Sequence, residues 1–197
     1  MDMQGSRTLA VTQQQAWDAL NNPEVLKRCI PGCDKFEASG DNRYTVGVAI
    51  KIGPVSAKFS GSVQLNDIVP PHSYALQFDA QGGVAGFGKG DCKVELKPLD
   101  QGCELHYTVH SRIGGKLAQM GQRLIDGAAK SLTEDFFSRF EQVLKDDAAS
   151  ADDAQGHASD DAHAAAAQAA PAATTSVPVW VWVAGALLLA AAVYVLR

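Results

Sequence analysis

The sequence predicts an α+β domain in which a curved antiparallel sheet wraps around a long C-terminal helix, with a single transmembrane helix following at the end of the chain. Three observations predict it. Apolar and polar side chains alternate through five segments between Arg43 and Ile113, as strands with one buried and one wet face require. The apolar period then changes to three and four between Leu117 and Val143, which marks an amphipathic helix. Finally, Val177 to Leu196 is a run of twenty uncharged residues.

The elements follow in order along the chain. Thr12 with Gln15 three residues on forms a capping box, and Trp17 and Leu20 then share one helix face. Asn22-Pro23 repeats the start signal, and Pro31-Gly32 ends the second short helix. Arg43 to Gly53, Pro54 to Val69, Ser73 to Ala80, Asp91 to Lys97 and Gly102 to Ile113 read as strands, divided into a meander by Gly53-Pro54, Pro70-Pro71, Gly82-Gly83 and Asp100 to Gly102. One helix is expected from about Gly115 to Lys145, roughly 45 Å long, with Leu117, Met120, Leu124, Ala128, Leu132, Phe136, Phe140 and Val143 along its apolar stripe. A sheet with one apolar face and a helix with one apolar stripe are most economically buried against each other.

The net charge of −5 over 197 residues is unevenly placed. Residues 1–145 carry 16 acidic and 16 basic side chains, residues 146–176 carry six Asp and no base, residues 177–196 carry no charge, and Arg197 carries the last. The first segment is thus a neutral domain, unlike a general nucleic-acid binder. The second is an Ala/Asp-rich tether. The third has the length to cross a bilayer, with Trp180 and Trp182 near one interface and Tyr194 near the other. MDMQGSRTLAV lacks the basic and apolar regions of a secretory signal, so the expected placement is a single-pass protein of the cell inner membrane with its N-terminal domain in the cytoplasm.

Short motifs for catalysis or metal binding are weak. GGVAGFGKG (Gly82 to Gly90) has no Gly-Lys-Ser/Thr ending and precedes a strand pattern, so it is not a phosphate loop. Its Val84 and Phe87 suit the mouth of an apolar cavity. Cys29 and Cys33 have no second pair at zinc spacing, and Cys92 and Cys103 are expected opposite Tyr107 and Leu96, too far apart for a disulfide. His106 and His110, four strand steps apart, cannot share one ion. The expectation is no catalytic residue, no metal and no covalent cofactor.

The inward positions form the candidate site. Val46, Val48, Phe59, Leu76, Phe78, Leu105, Tyr107 and Val109 of the sheet are expected to face Leu117, Met120, Leu124, Leu132, Phe136 and Phe140 of the helix. Tyr44, Tyr107 and Ser111 are the inward polar groups. Periodicity alone does not distinguish a packed core from a hollow one.

NNPEVLKRCIPGC (Asn21 to Cys33), IGPVSAKFSG (Ile52 to Gly61), PPHSYAL (Pro70 to Leu76), GGVAGFGKG and GGKLAQMGQRLIDGAAKSLTEDFFSRF (Gly114 to Phe140) resemble the carbon monoxide dehydrogenase G-subunit family, within the START-like (SRPBCC) helix-grip superfamily. The resemblance implies a non-catalytic accessory of a molybdenum-flavin-iron-sulfur hydroxylase, attaching that enzyme to the cytoplasmic membrane and binding an isoprenoid quinone (menaquinone or ubiquinone) or a lipid. The alternatives are a docking factor with no ligand and a START-like cyclase or hydrolase acting on a hydrophobic substrate.

Overall fold

The computed structural model describes residues 1–156, with side chains through residue 147. Residues 177–196, the expected membrane helix with Trp180, Trp182 and Tyr194, lie outside them. Among the described residues no helix is long and apolar enough to cross a membrane.

The elements are β1 (Asp2–Leu9), α1 (Gln13–Leu20), α2 (Pro23–Cys29), β2 (Cys33–Gly40), β3 (Arg43–Ile52), β4 (Val55–Val69), β5 (Ser73–Gln81), β6 (Phe87–Pro98), β7 (Cys103–Gly114), α3 (Lys116–Gln119) and α4 (Gln122–Gly156). The strands form one antiparallel sheet in the order β1-β7-β6-β5-β4-β3-β2. β2 to β7 run as a meander, and the α1–α2 excursion places β1 and β2 at opposite edges.

Local chemistry explains the helix starts. The Thr12 hydroxyl accepts from the Gln15 amide while the Gln15 side chain accepts from the Thr12 amide at 2.9 Å, closing the capping box. The Asn22 side chain accepts from the Glu24 amide at 3.0 Å, with Pro23 in the first helical turn of α2.

Three departures from the sequence reading have physical causes. β2 carries no visible alternation because it is an edge strand in which only Phe36 is buried. The β6–β7 connection spans four residues, Leu99 to Gly102, so Cys92 lies opposite Val109 and Cys103 opposite Pro98, two positions from the expected register. All four cysteines are free.

The third departure concerns the long helix. It is broken at Gly121, whose φ of 87° a side chain would resist, and α4 then continues past Lys145 to Gly156. The four-spaced apolar series is also not one stripe, because each step of four advances about 40° around a helix of 3.6 residues per turn. Leu124 is therefore 53% exposed while Phe140 is fully buried. The residues that face the sheet from the first half of α4 are Ile125, Ala129 and Leu132.

Two apolar clusters result. In the larger, Trp17, Leu20 and Val25 pack with Phe137, Phe140, Val143 and Leu144 of α4 and with Leu9, Leu96, Cys103 and Leu105 of the sheet. In the smaller, Phe59, Ala85 and Leu117 gather Ile50, Ile52, Val55, Ile113 and Met120 at the other end. Arg7 fastens β1 to α4, reaching Glu134 at 3.1 Å and Glu141 at 2.8 Å with its guanidinium over Phe137.

These placements predict opposite costs for two truncations in the series. Phe140→Ala should destabilise the fold by about 3–5 kcal/mol, whereas Leu124→Ala should stay within about 0.5 kcal/mol. Urea denaturation of the two variants checks both values.

Candidate functional site

Beside the larger cluster, the sheet, α4 and the α1–α2 corner line a cavity of about 450 Å³. Its floor comes from six strands, including Met3, Tyr44, Val48, Leu65, Tyr74, Leu76, Cys92, Leu105, Tyr107 and Val109. Leu132, Thr133, Phe136 and Phe137 of α4 roof it, and Leu20, Asn21, Leu26, Ile30 and Pro31 of the α1–α2 corner close one end with Phe36. No charged side chain lines it.

A second apolar hollow, about 310 Å³, adjoins it toward Phe59, Ile113 and Leu117. Val48, Ile50, Val63 and Leu132 line both spaces, so Leu132 stands where they meet. Close-packed interiors leave few voids larger than a water molecule. Both spaces exceed that by far.

Small residues on the floor explain the second hollow. Reading across β4, β5 and β6, Gly61 pairs with Ala80 and Ala80 with Gly88, a row with almost no side-chain volume on the inner face. Gly61 and the neighbouring Gly90 are fixed by close approach, since a Cβ at either would collide with the backbone of the next strand. A Cβ at Gly88 would meet nothing within 4 Å. Over the first cavity the spacer is aromatic. Tyr107 lies 5.7 Å from Phe137, and Phe137 lies 5.3 Å from Phe136, propping α4 away from the floor.

The sequence-derived residues distribute unevenly. Tyr44, Leu76, Leu105, Tyr107, Val109 and Phe136 line the larger cavity, Val46, Phe59, Phe78, Phe87 and Leu117 the smaller, and Val48 and Leu132 both. Phe140 belongs to the packed core, and Met120 packs on the smaller cluster without lining either space. Val84, in a 3-10 turn over Gly83–Ala85, is 84% exposed and Leu124 is half exposed, so neither reaches a cavity. The Ser111 hydroxyl donates to the Met1 carbonyl at 3.3 Å and borders a separate polar groove. His106 and His110 hold Glu104 and Asp2, at 3.0 and 2.7 Å.

The reading of inward strand residues overlooks Tyr74, Phe36 and the α1–α2 end wall as site residues. The signals available are the inward parity of Tyr74 and the glycines at inward strand positions. Phe137 and Thr133 are hidden by the false four-residue stripe.

Burial dominates the chemistry of the cavity wall. Tyr74 packs edge-on against Trp17 at 5.7 Å, and burial pushes its hydroxyl well above the usual phenol range. Burial likewise pushes the Cys92 thiol up to about 11, with Asp91 adding to the rise, and raises the Tyr107 hydroxyl. Across the physiological range these groups are neutral hydrogen-bond donors. Among the described residues no cluster of His, Cys, Asp or Glu could hold a metal ion.

A seven-stranded antiparallel sheet closed by a long helix over an uncharged hollow defines a START-like helix-grip domain. The match to a conserved protein from Geobacillus kaustophilus agrees, at 33% identity and a TM-score of 0.71 over 74% of this chain and 96% of that one. Proteins from Rhizobium leguminosarum (14% identity, TM-score 0.59, 74% and 94% covered) and Thermus thermophilus (12%, 0.57, 73% and 97%) share the fold. The chain belongs to the carbon monoxide dehydrogenase G-subunit (CoxG) family, whose profile matches residues 5–145. No curated protein matches it.

The raised Cys92 value has a measurable consequence. At pH 8 its alkylation by iodoacetamide should run roughly two orders of magnitude slower than that of an unperturbed thiol, rising about tenfold per pH unit up to about 11. Peptide mass spectrometry of timed labelling reactions checks both the rate and its slope.

Proposed function

We propose that this chain is a non-catalytic, membrane-tethered accessory subunit of a molybdenum hydroxylase of the carbon monoxide dehydrogenase type. In this reading the helix-grip domain holds an isoprenoid quinone, menaquinone or ubiquinone, or a similar apolar lipid. The uncharged run 177–196 is the tether to the cytoplasmic membrane, with the folded domain on the cytoplasmic side. The chain would bring the enzyme and its electron acceptor together, raising effective concentration without chemistry of its own.

One observation carries the reading: a chain of this family encloses a cavity of about 450 Å³ lined without a single charge. Small-molecule sites typically occupy about 300–1,000 Å³ and are largely apolar. The adjoining hollow of about 310 Å³ provides room for a prenyl chain beside a ring. A carbon monoxide dehydrogenase partner is taken from the family's name, and no long-range charge attraction to it is expected from a neutral domain.

The reading is tested with the full-length chain purified from membranes. Organic extraction followed by mass spectrometry should recover a quinone or neutral lipid at near-stoichiometric yield. Leu132→Trp, which fills the junction of the two hollows, should lower that yield at least tenfold while circular dichroism stays unchanged. Deleting residues 177–197 should move both the chain and the hydroxylase activity from the membrane to the soluble fraction. An empty wild-type protein that also fails to bind added menaquinone would reduce the role to docking.

A further inference from the structure

One polar group in the cavity is set apart from the others. Tyr74 lines the space at 7% exposure, yet its hydroxyl has no hydrogen-bond partner among the described residues. No buried side-chain nitrogen or oxygen that is sealed off lacks a partner. The Tyr74 hydroxyl is therefore not sealed, and of the spaces described the cavity is the one that Tyr74 lines. A buried hydroxyl left without a partner costs about 1–3 kcal/mol. The other donors on the wall do not share this position. Cys92 donates to the Lys93 carbonyl at 3.6 Å, Asn21 to the Trp17 carbonyl at 2.8 Å and Thr133 to the Ala129 carbonyl at 2.9 Å. Tyr44 and Tyr107 are only partly buried, whereas Tyr74 is buried.

The wall also states what the occupant is not. A carboxylate or phosphate placed here would find no Lys, Arg or His among the lining residues, and an ammonium no acid. An entirely hydrocarbon occupant would leave the Tyr74 hydroxyl unpaired.

From this geometry we propose that Tyr74 is the recognition residue of the cavity, donating its hydroxyl hydrogen to a carbonyl oxygen of an uncharged, otherwise apolar ligand. The ligand enters with its carbonyl end toward the Trp17–Tyr74 corner and its apolar remainder toward Leu132 and the second hollow. Quinone carbonyls and the ester carbonyls of neutral lipids share this chemistry. The inference rests on the cavity being a ligand site.

Three probes separate the sources when titrated calorimetrically into the full-length chain and its Tyr74→Phe variant. They are 2,3-dimethyl-1,4-naphthoquinone, 2,3-dimethylnaphthalene, which has the same skeleton without oxygens, and methyl decanoate. Both naphthoquinone ring positions are blocked, so Cys92 cannot add to it. Tyr74→Phe should weaken the naphthoquinone about two- to tenfold and leave the naphthalene unchanged. A like loss for methyl decanoate would assign the site to neutral esters as well as quinones, and none would assign it to quinones. The carbonyl stretch of ¹³C-labelled naphthoquinone should lie lower on the wild-type protein than in hydrocarbon solvent, a reading independent of any variant. Equal losses for the naphthoquinone and the naphthalene, or an unshifted carbonyl band, would overturn the proposal. Binding of the naphthalene without preference for the quinone would overturn it while leaving the cavity a ligand site. Failure of every probe to bind the wild-type chain would overturn both.

Discussion

The structure depends on a cover that is held at one end of a sheet and propped away from its middle. α4 must bury an apolar stripe and the sheet must bury an apolar face, and burial of such surfaces is the dominant favourable contribution to folding. Contact is complete where Phe140, Val143 and Leu144 meet Trp17 and the α1–α2 corner. Further along, the floor drops to Gly61, Ala80 and Gly88, while Tyr107, Phe136 and Phe137 keep the helix at a distance. The hollow is what remains where the helix and the sheet are held apart between those supports. Its stability is supplied elsewhere, by the packed end and by the Arg7 clasp to Glu134 and Glu141.

That division fits the chemistry of the wall. The charged residues of the sheet are on its other face or at its edges, where His110 and Asp2 or His106 and Glu104 pair in water. Inside, burial raises the Tyr74 and Tyr107 phenols and the Cys92 thiol, which keeps these three protonated. A protonated Cys92 is a poor nucleophile, since the thiolate is the reactive form. Burial thus gives this wall donors and withholds nucleophiles.

Most of the architecture is legible in the sequence because alternation is a strong signal wherever one face is wet. β3, β4, β5 and β7 announce themselves in this way, and the capping box of Thr12 and Gln15 forms where its spacing predicts. β2 is not legible, because an edge strand with one buried residue has almost no pattern to read. The site is only half legible. Inward parity brings Tyr44, Val48, Leu76 and Tyr107 to the cavity wall, but a four-residue repeat imitates a stripe, which puts Leu124 inside and leaves out Phe137. Whether a face is filled or hollow depends on how far apart two elements are held. Hydrophobic periodicity carries no information about that distance, although glycine at inward strand positions does.

Gly88 differs from the other floor glycines. At Gly61 and Gly90 the neighbouring strand already occupies the space a side chain would need, so those positions have no freedom to vary. At Gly88 the space is open, and it faces the smaller hollow. One substitution at Gly88 would therefore shorten the smaller hollow while leaving the helix, its clasp and the Tyr74 end as they are. If the domain holds a ligand as proposed above, the length of chain it accepts is thus set at a different place from the group that would recognise its polar end.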